Sequence, residues 1–408
     1  MPTAPPVADT APRAGPRPGH GVPPRGAGFT KYLVPEVVFG WGALSEAGWA
    51  ARRLGAQRPF VVTDAGLAEA GWEAELAGHL AEAGLRATVW RGLTPNPKDH
   101  EVAAGTEAYL ASGCDVIVGL GGGSVIDAAK AIAVVASNGG RILDYEGVDK
   151  VTAAIPPTLM CPSTAGTGAD VSQFAVITDT TRRLKATLIG RALVPDISIT
   201  DPRLLGTMPD DLAAATGLDA LTHGIEAFVS RASGPLTDVH ALHAVELISG
   251  SLQRTLRDRD DDAARTGMAQ ASLEAGLAFT NAILGATHAM SHQVGGLLDL
   301  PHGVVNGVLL PHVIRFNARS APDRFVPVAR AMGIDVTGVP GDVAAELAAE
   351  AVARLAADLG VPRGLAQLGV RESDIDTLAT TTLGDACLST NPRDADRADV
   401  AALFRAAL

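Results

Sequence analysis

Asp115-Val116-Ile117-Val118-Gly119-Leu120, followed without a break by Gly121-Gly122-Gly123-Ser124 and then Val125-Ile126-Asp127-Ala128-Ala129-Lys130, decides the fold. Residues 116–120 are apolar and β-branched and read as a strand. From Val125 onward the apolar residues take helical spacing, so the glycines form a strand-to-helix turn. The same alternation repeats on both sides. Residues 58–64, 87–90 and 197–200 read as further strands, and 67–83, 99–112 and 125–137 as the helices between them. Strands that alternate with helices build a mostly parallel sheet covered on both faces.

Past about residue 204 the strand signal fades. Residues 210–230, 238–256, 263–290, 323–332, 343–359 and 397–408 read as helices rich in Ala and Leu. The expected fold class is an α/β N-terminal domain with a mostly parallel sheet, followed by an all-α C-terminal domain. The expected boundaries are 29–204 for the α/β domain and 205–408 for the helical domain. Residues 1–28 are rich in Pro, Gly and Ala, carry no apolar stretch of a secretory signal, and read as a disordered tail.

The glycine turn at 121–124 suits an anion. Glycine lets backbone approach a phosphate closely, and the free amides of a helix start point at it. The pattern is neither GxGxxG nor a Walker A loop, and a tight turn that binds nothing is the other reading. A second small-residue loop, Pro162-Ser163-Thr164-Ala165-Gly166-Thr167-Gly168, offers hydroxyls and amides for the nicotinamide end of a dinucleotide, or is an ordinary Ser/Thr turn. Asp64 ends the strand at 58–64. A carboxylate there accepts from an adenosine ribose and repels a 2′-phosphate, which favours NAD over NADP; a helix cap is the competing role.

Asp219 and His223 stand four apart in Thr216-Gly217-Leu218-Asp219-Ala220-Leu221-Thr222-His223, on one face of a helix. His288 lies in a second helix-like run with His292 one turn on, and His302 follows in the loop-like Leu300-Pro301-His302-Gly303. One carboxylate and three imidazoles suit Fe²⁺, Zn²⁺, Ni²⁺ or Co²⁺ better than the oxygen-loving Mg²⁺ or Ca²⁺. Of ten histidines, three fall between 288 and 302 in mostly apolar sequence, where ionisable groups need partners.

A chain of 408 residues has room for two cores. Its net charge of −12 argues against nucleic acid and anionic membrane surfaces as partners. No apolar run reaches the length of a membrane span. Cys114, Cys161 and Cys387 form no CxxC and no disulfide framework, which fits a reducing cytoplasm.

Taken together, the segments from Tyr32 to Arg393 resemble the iron-dependent (group III) alcohol dehydrogenases. The matching pieces are Thr63-Asp64, Pro95-Asn96-Pro97, Gly121-Gly122-Gly123-Ser124 with Asp127 and Lys130, the 163–168 loop, Lys185, Pro195 and Asp201-Pro202. Then come Asp219/His223, His288 with Ala289-Met290-Ser291-His292, Pro301-His302-Gly303 and Asn391-Pro392-Arg393. Small departures are Ser163 where Thr is common and Ala169-Asp170 where Ser-Glu is common.

The resemblance implies one divalent metal, Fe²⁺ first and Zn²⁺ or Ni²⁺ next, on Asp219, His223, His288 and His302. It implies that the α/β domain is a dinucleotide-binding domain, with NAD along Asp64, Asn96, Gly122, Gly123, Ser124, Thr164, Thr167 and Lys185, and that the helical domain is the metal-binding and substrate domain. His292 matches a histidine assigned to proton transfer; the alternative is an outer-sphere structural role. A homo-oligomer, a dimer or higher, is implied as well.

The expected reaction is hydride transfer between NAD(H) and a small primary alcohol or aldehyde. No Lys or Arg lies between His288 and His302, which favours an uncharged substrate over the phosphorylated ones of related lyases. A regulatory or sensor protein on the same scaffold is the rival from another class, and a lactaldehyde or 1,3-propanediol type enzyme the rival within this one.

Overall fold

The computed structural model describes residues 31–182 and 184–408, so the tail expected over 1–28 lies outside the described residues. The first part of the chain runs β1 (Glu36–Phe39), α1 (Ala47–Arg53), β2 (Pro59–Val62), α2 (Ala65–Glu69), α3 (Trp72–Glu82), β3 (Thr88–Trp90) and α4 (Asp99–Ser112). It continues with β4 (Val116–Gly121), α5 (Gly123–Asn138), β5 (Gly147–Val148), β6 (Thr158–Pro162), β7 (Phe174–Asp179), β8 (Leu184–Ile189) and β9 (Ile197–Thr200).

Six strands form a sheet in the order β1-β9-β6-β4-β2-β3, and every pairing in it is parallel. The strand β4 is buried along its whole length at the centre. Its side chains alternate: Val116, Val118 and Leu120 join one apolar cluster with Leu76 and Leu80 of α3, while Ile117 joins another with Ile126 and Ile132 of α5. That period of two explains why the strand is apolar throughout, since helices cover both of its faces. From β2 the chain goes outward to β3, and from β4 it goes the other way to β6 and β9. The carboxyl ends of β2 and β4 therefore flank the point where strand order reverses, the crevice in which open α/β sheets bind ligands.

Three further strands, absent from the sequence reading, form a small sheet in the order β5-β8-β7, in which β7 and β8 are an antiparallel pair. The helix expected over 67–83 is two, because Gly71 at φ 87 separates α2 from α3.

The second part is helical throughout, as expected: α6 (Asp210–Val229), α7 (Pro235–Arg257), α8 (Asp262–Ala282), α9 (Ala286–Leu298), α10 (His302–Ala318), α11 (Phe325–Ala331), α12 (Gly341–Asp358), α13 (Ile375–Thr382) and α14 (Arg397–Ala406). The run expected as one helix over 263–290 breaks at Ile283, which takes φ 59, and resumes as α9. Residues 302–318, expected only as a loop around His302, are the helix α10, which accommodates Pro311. Helix α6 is the centre of this part, with every residue from Ala214 to Val229 buried. A helix that is apolar nearly all round sits in a core. The polar residues it carries there must find partners.

Candidate active site

The ionisable ones are Asp219, His223 and Glu226, at steps of four and three along α6 and so on one face. Helix α9 brings His288 within its first turn, and α10 starts at His302. The start of α10 lies against the backbone of α6; a Cβ on Gly303 would come within 1.8 Å of the Ala215 carbonyl oxygen. Only glycine permits that approach, and it sets His302 beside Asp219.

Each imidazole is held by its Nδ1. His223 Nδ1 donates to the Gly166 carbonyl (3.1 Å), His288 Nδ1 to Glu226 Oε2 (2.7 Å), and His302 Nδ1 pairs with Ser291 Oγ (2.9 Å). Nδ1 is thus committed in all three rings, the arrangement that orients a histidine to offer Nε2 to a metal, and His288 Nε2 also lies 3.3 Å from Asn306 Nδ2. His288 Nε2 lies 3.4 Å and His223 Nε2 3.9 Å from Asp219 Oδ1. Ligand atoms of Asp219, His288 and His302 all fall within 4.8 Å of one another. The His223 ring stacks on His288, centroids 4.5 Å apart. Asn306 Nδ2 donates to Asp219 Oδ1 at 2.7 Å and fixes the carboxylate.

The electrostatics point the same way. Burial pushes the Asp219 carboxyl up, but His223, His288 and His302 outweigh it and hold the group well below the usual carboxylate range. Burial brings His223 down to about 4 and His302 well below its ordinary value, so both rings keep free lone pairs. His288 is also pushed down by burial, yet Asp219 and Glu226 reverse that and raise it to about 9. Two buried carboxylates thus require a positive charge at this point, which a proton on His288 or a divalent cation supplies. The donor set and the charge both fit a metal.

The dinucleotide candidates gather along the carboxyl edge of the sheet. Val62 of β2 is paired with Gly119 of β4, so Asp64 and Gly121, two residues on, leave the sheet as neighbours. Asp64 also caps α2, its Oδ1 accepting from Leu67 N at 2.9 Å, so the capping reading of this residue holds. Gly121 is paired with Pro162, which puts the 163–168 loop beside the glycine turn. A Cβ on Gly122 would meet Thr164 Cγ2 at 2.9 Å, and one on Gly123 would meet Thr167 Cγ2 at 2.6 Å. Thr164 and Thr167 are the partly exposed members of an otherwise buried loop.

Asn96, at φ 56, gathers the rest: its N–H donates to Ser124 Oγ (3.1 Å), its Oδ1 accepts from Lys185 Nζ (3.0 Å), and its Nδ2 donates to Asp299 Oδ1 at the end of α9 (2.6 Å). Burial pulls the Lys185 ammonium down, against the opposing pull of Asp299, Asp127 and Asp219. Asp127 and Lys130 face inward instead. Lys130 Nζ donates to the carbonyls of Ser172 and Phe174, and Asp127 accepts from Val176 N, so they tie α5 to β7. The Gly166 carbonyl that holds His223 belongs to the same loop as Thr164 and Thr167, so the loop links the two sets of residues.

Four residues of this site have no role in the sequence reading. Glu226 had a signal, seven residues after Asp219; Asn306 and Ser291 had similar ones, four after His302 and three after His288. Asp385, whose Oδ2 lies 2.8 Å from His292 Nδ1, is 93 residues away and had none.

Residues 35–202 match the family described as iron-containing alcohol dehydrogenase, and residues 213–408 its C-terminal domain family. The chain belongs to the iron-containing alcohol dehydrogenase family. Within it the chain is similar to the NAD-dependent methanol dehydrogenase of Bacillus methanolicus, at 41% identity over 92% of this chain and 99% of that one. It is also 42% identical to the 1,3-propanediol dehydrogenase of Citrobacter freundii, over 92% and 98% of the two chains. Among solved structures, a 1,3-propanediol oxidoreductase superposes with a TM-score of 0.90 at 41% identity, covering 93% of this chain and all of that one (100%). The sulfoacetaldehyde reductase of Bifidobacterium kashiwanohense, solved with NAD⁺, gives 0.82 at 29% identity over 93% and 98%.

Proposed function

We propose that this family member is a metal-dependent NAD(H) alcohol dehydrogenase and aldehyde reductase for small, uncharged primary alcohols and aldehydes. One observation carries the reading: three imidazoles, each committed through Nδ1, gather about one buried carboxylate, toward which His223 and His288 turn Nε2. Asp219, His223, His288 and His302 would hold the metal, iron first by family, with zinc or nickel as alternatives. Asp64, Asn96, Gly122, Gly123, Ser124, Thr164, Thr167 and Lys185 would line NAD.

When bound, the metal supplies a Lewis acid for the substrate oxygen and NAD a hydride acceptor. The chain does the rest. Gly166, Glu226 and Ser291 hold the three rings in place, Asn306 holds Asp219, and burial keeps water away from the charges. His292 is proposed to take the alcohol proton at Nε2 and return it in the reverse direction.

Residues 29–204 and 205–408 are proposed as the cofactor and the metal domains, a division supported by the two family matches at 35–202 and 213–408. Free, unpaired thiols support a cytoplasmic setting. A homo-oligomer is proposed from the family likeness. No helix among the described residues is long and apolar enough to cross a membrane.

Enzyme loaded with Fe²⁺ or Zn²⁺ should change NADH absorbance with short-chain alcohols and aldehydes. Bound metal and bound NADH with no turnover on any of them would favour the regulatory reading. His288→Ala should strip the metal, and retained metal would remove His288 from the ligand set.

A further inference from the structure

We infer that Asp385 is a positioning residue that selects the tautomer of His292, keeping the proton on Nδ1 and the lone pair on Nε2. The inference rests on the reading of His292 as the proton carrier and deepens it. Asp385 lies between α13 and the short 3-10 turn Ala386–Thr390, far in sequence from α9, and it divides its two oxygens. Oδ1 accepts from the backbone N–H of Cys387 at 2.9 Å, capping that turn. Oδ2 faces His292 Nδ1 at 2.8 Å and receives a longer bond from Gln293 Nε2 at 3.4 Å. A carboxylate can only accept here, so Nδ1 must carry the hydrogen.

The surroundings support an ionised Asp385. Burial pushes its carboxyl up, but His292 and the Cys387 backbone outweigh that and hold it below the usual range. Cys387 Sγ lies within 4.8 Å of the pair, yet burial and the Asp385 and Glu226 charges keep the thiol protonated, so it cannot replace the carboxylate as anion. The His292 ring is further confined by stacking on His302, centroids 5.0 Å apart at 12°. With Nδ1 tied back to Asp385, Nε2 is the nitrogen left for chemistry.

Asparagine at this position would reverse the arrangement. The Cys387 N–H still needs an oxygen, so Oδ1 of the amide stays with it and the NH₂ group turns to His292. Nδ1 must then accept, and the proton moves to Nε2, where it blocks a base.

The test uses full-length metal-loaded enzyme carrying Asp385→Asn, His292→Ala, or both. His292→Ala should lower kcat by about 10²- to 10⁴-fold, the usual contribution of a positioned acid or base. Asp385→Asn should fall within that loss, with KM for the alcohol little changed, and should add less than about twofold in the His292→Ala background. Equal losses from Asp385→Asn in both backgrounds would overturn the inference.

A second readout is independent of turnover. ¹⁵N shifts of labelled histidine in the zinc-loaded protein, assigned with His292→Ala, should show His292 protonated at Nδ1 and, in Asp385→Asn, at Nε2. An unchanged tautomer would also overturn it. If His292→Ala leaves kcat intact while Asp385→Asn still moves the proton, the proton-carrier reading fails and the positioning role stands. Asp385→Ser keeps an oxygen for Cys387 while withdrawing the partner of His292, and should lose kcat without fixing either tautomer. A single Nδ1–H form in that variant would count against Asp385.

Discussion

Glu226→Gln is the most revealing perturbation, because Glu226 joins the fold to the proposed metal ligands. Its Oε1 accepts from Thr287 N (2.6 Å), and its Oε2 from Gly285 N (3.1 Å), His288 N (3.4 Å) and His288 Nδ1 (2.7 Å). The buried carboxylate therefore caps α9 and aims His288 at once. In glutamine one oxygen becomes an NH₂ group. Placed at Oε2 it would face three donors; placed at Oε1 it faces only Thr287 N, so that orientation wins. One buried N–H is then left unpaired, at about 1–3 kcal/mol of stability. The bond to His288 loses its ionised acceptor, at about 1–2 kcal/mol.

The first loss falls on the fold and should lower the urea midpoint of the metal-free protein. The second falls on the ligand and should weaken metal affinity by about 5- to 30-fold, at 1.4 kcal/mol per decade. Chelator competition measures that directly. If the urea midpoint drops while metal affinity holds, Glu226 only caps α9 and does not orient His288. If neither moves, the reasoning about both is refuted.

Gly303→Ala should force α10 away from the Ala215 carbonyl, cost at least about 1–3 kcal/mol as overpacking and reduce metal content by displacing His302; unchanged metal content would refute it. Asp64→Asn keeps the α2 cap, since Asn caps as well as Asp, but removes the charge proposed to repel a 2′-phosphate. The NADP/NAD ratio of kcat/KM should rise, and a constant ratio would leave Asp64 as a cap alone.

Asp201 should give the fold an acid-sensitive contribution. Burial pushes it up, but the Arg203 side chain and the N–H groups of Leu44 and Arg203 outweigh that and hold it below 3.8. A depressed folded value means stability present above the unfolded value and lost as pH falls through the folded one. Asp201→Asn should therefore lower the urea midpoint at neutral pH, with the gap to wild type closing as the pH drops below 3.8. A gap independent of pH would contradict it.

Sequence fixed most clearly what is local. The β4–α5 turn was readable because a buried strand, a glycine turn and a helix start each leave a pattern within a few residues. Asp219 and His223 were readable because a four-residue helical step brings them together whatever the tertiary fold. The β7–β8 pair was missed because the sequence between Asp179 and Leu184 holds no Asn-Gly or similar tight-turn signal. The helix α10 was missed because Gly303, Gly307 and Pro311 weaken helix propensity along it. The start of α9 was missed because Ile283, a β-branched residue, takes the left-handed backbone region that sequence assigns to glycine.

The chain by itself thus specified which groups are on offer: a carboxylate, imidazoles and glycine-lined loops, each from short-range spacing. Tertiary structure decided which nitrogen of each ring is free, because Gly166, Glu226, Ser291 and Asp385 reach their histidines mostly across separate elements. A hydrogen bond acts over about 3 Å in space. Partners 57, 62 or 93 residues apart along the chain leave no periodicity from which that contact could be read.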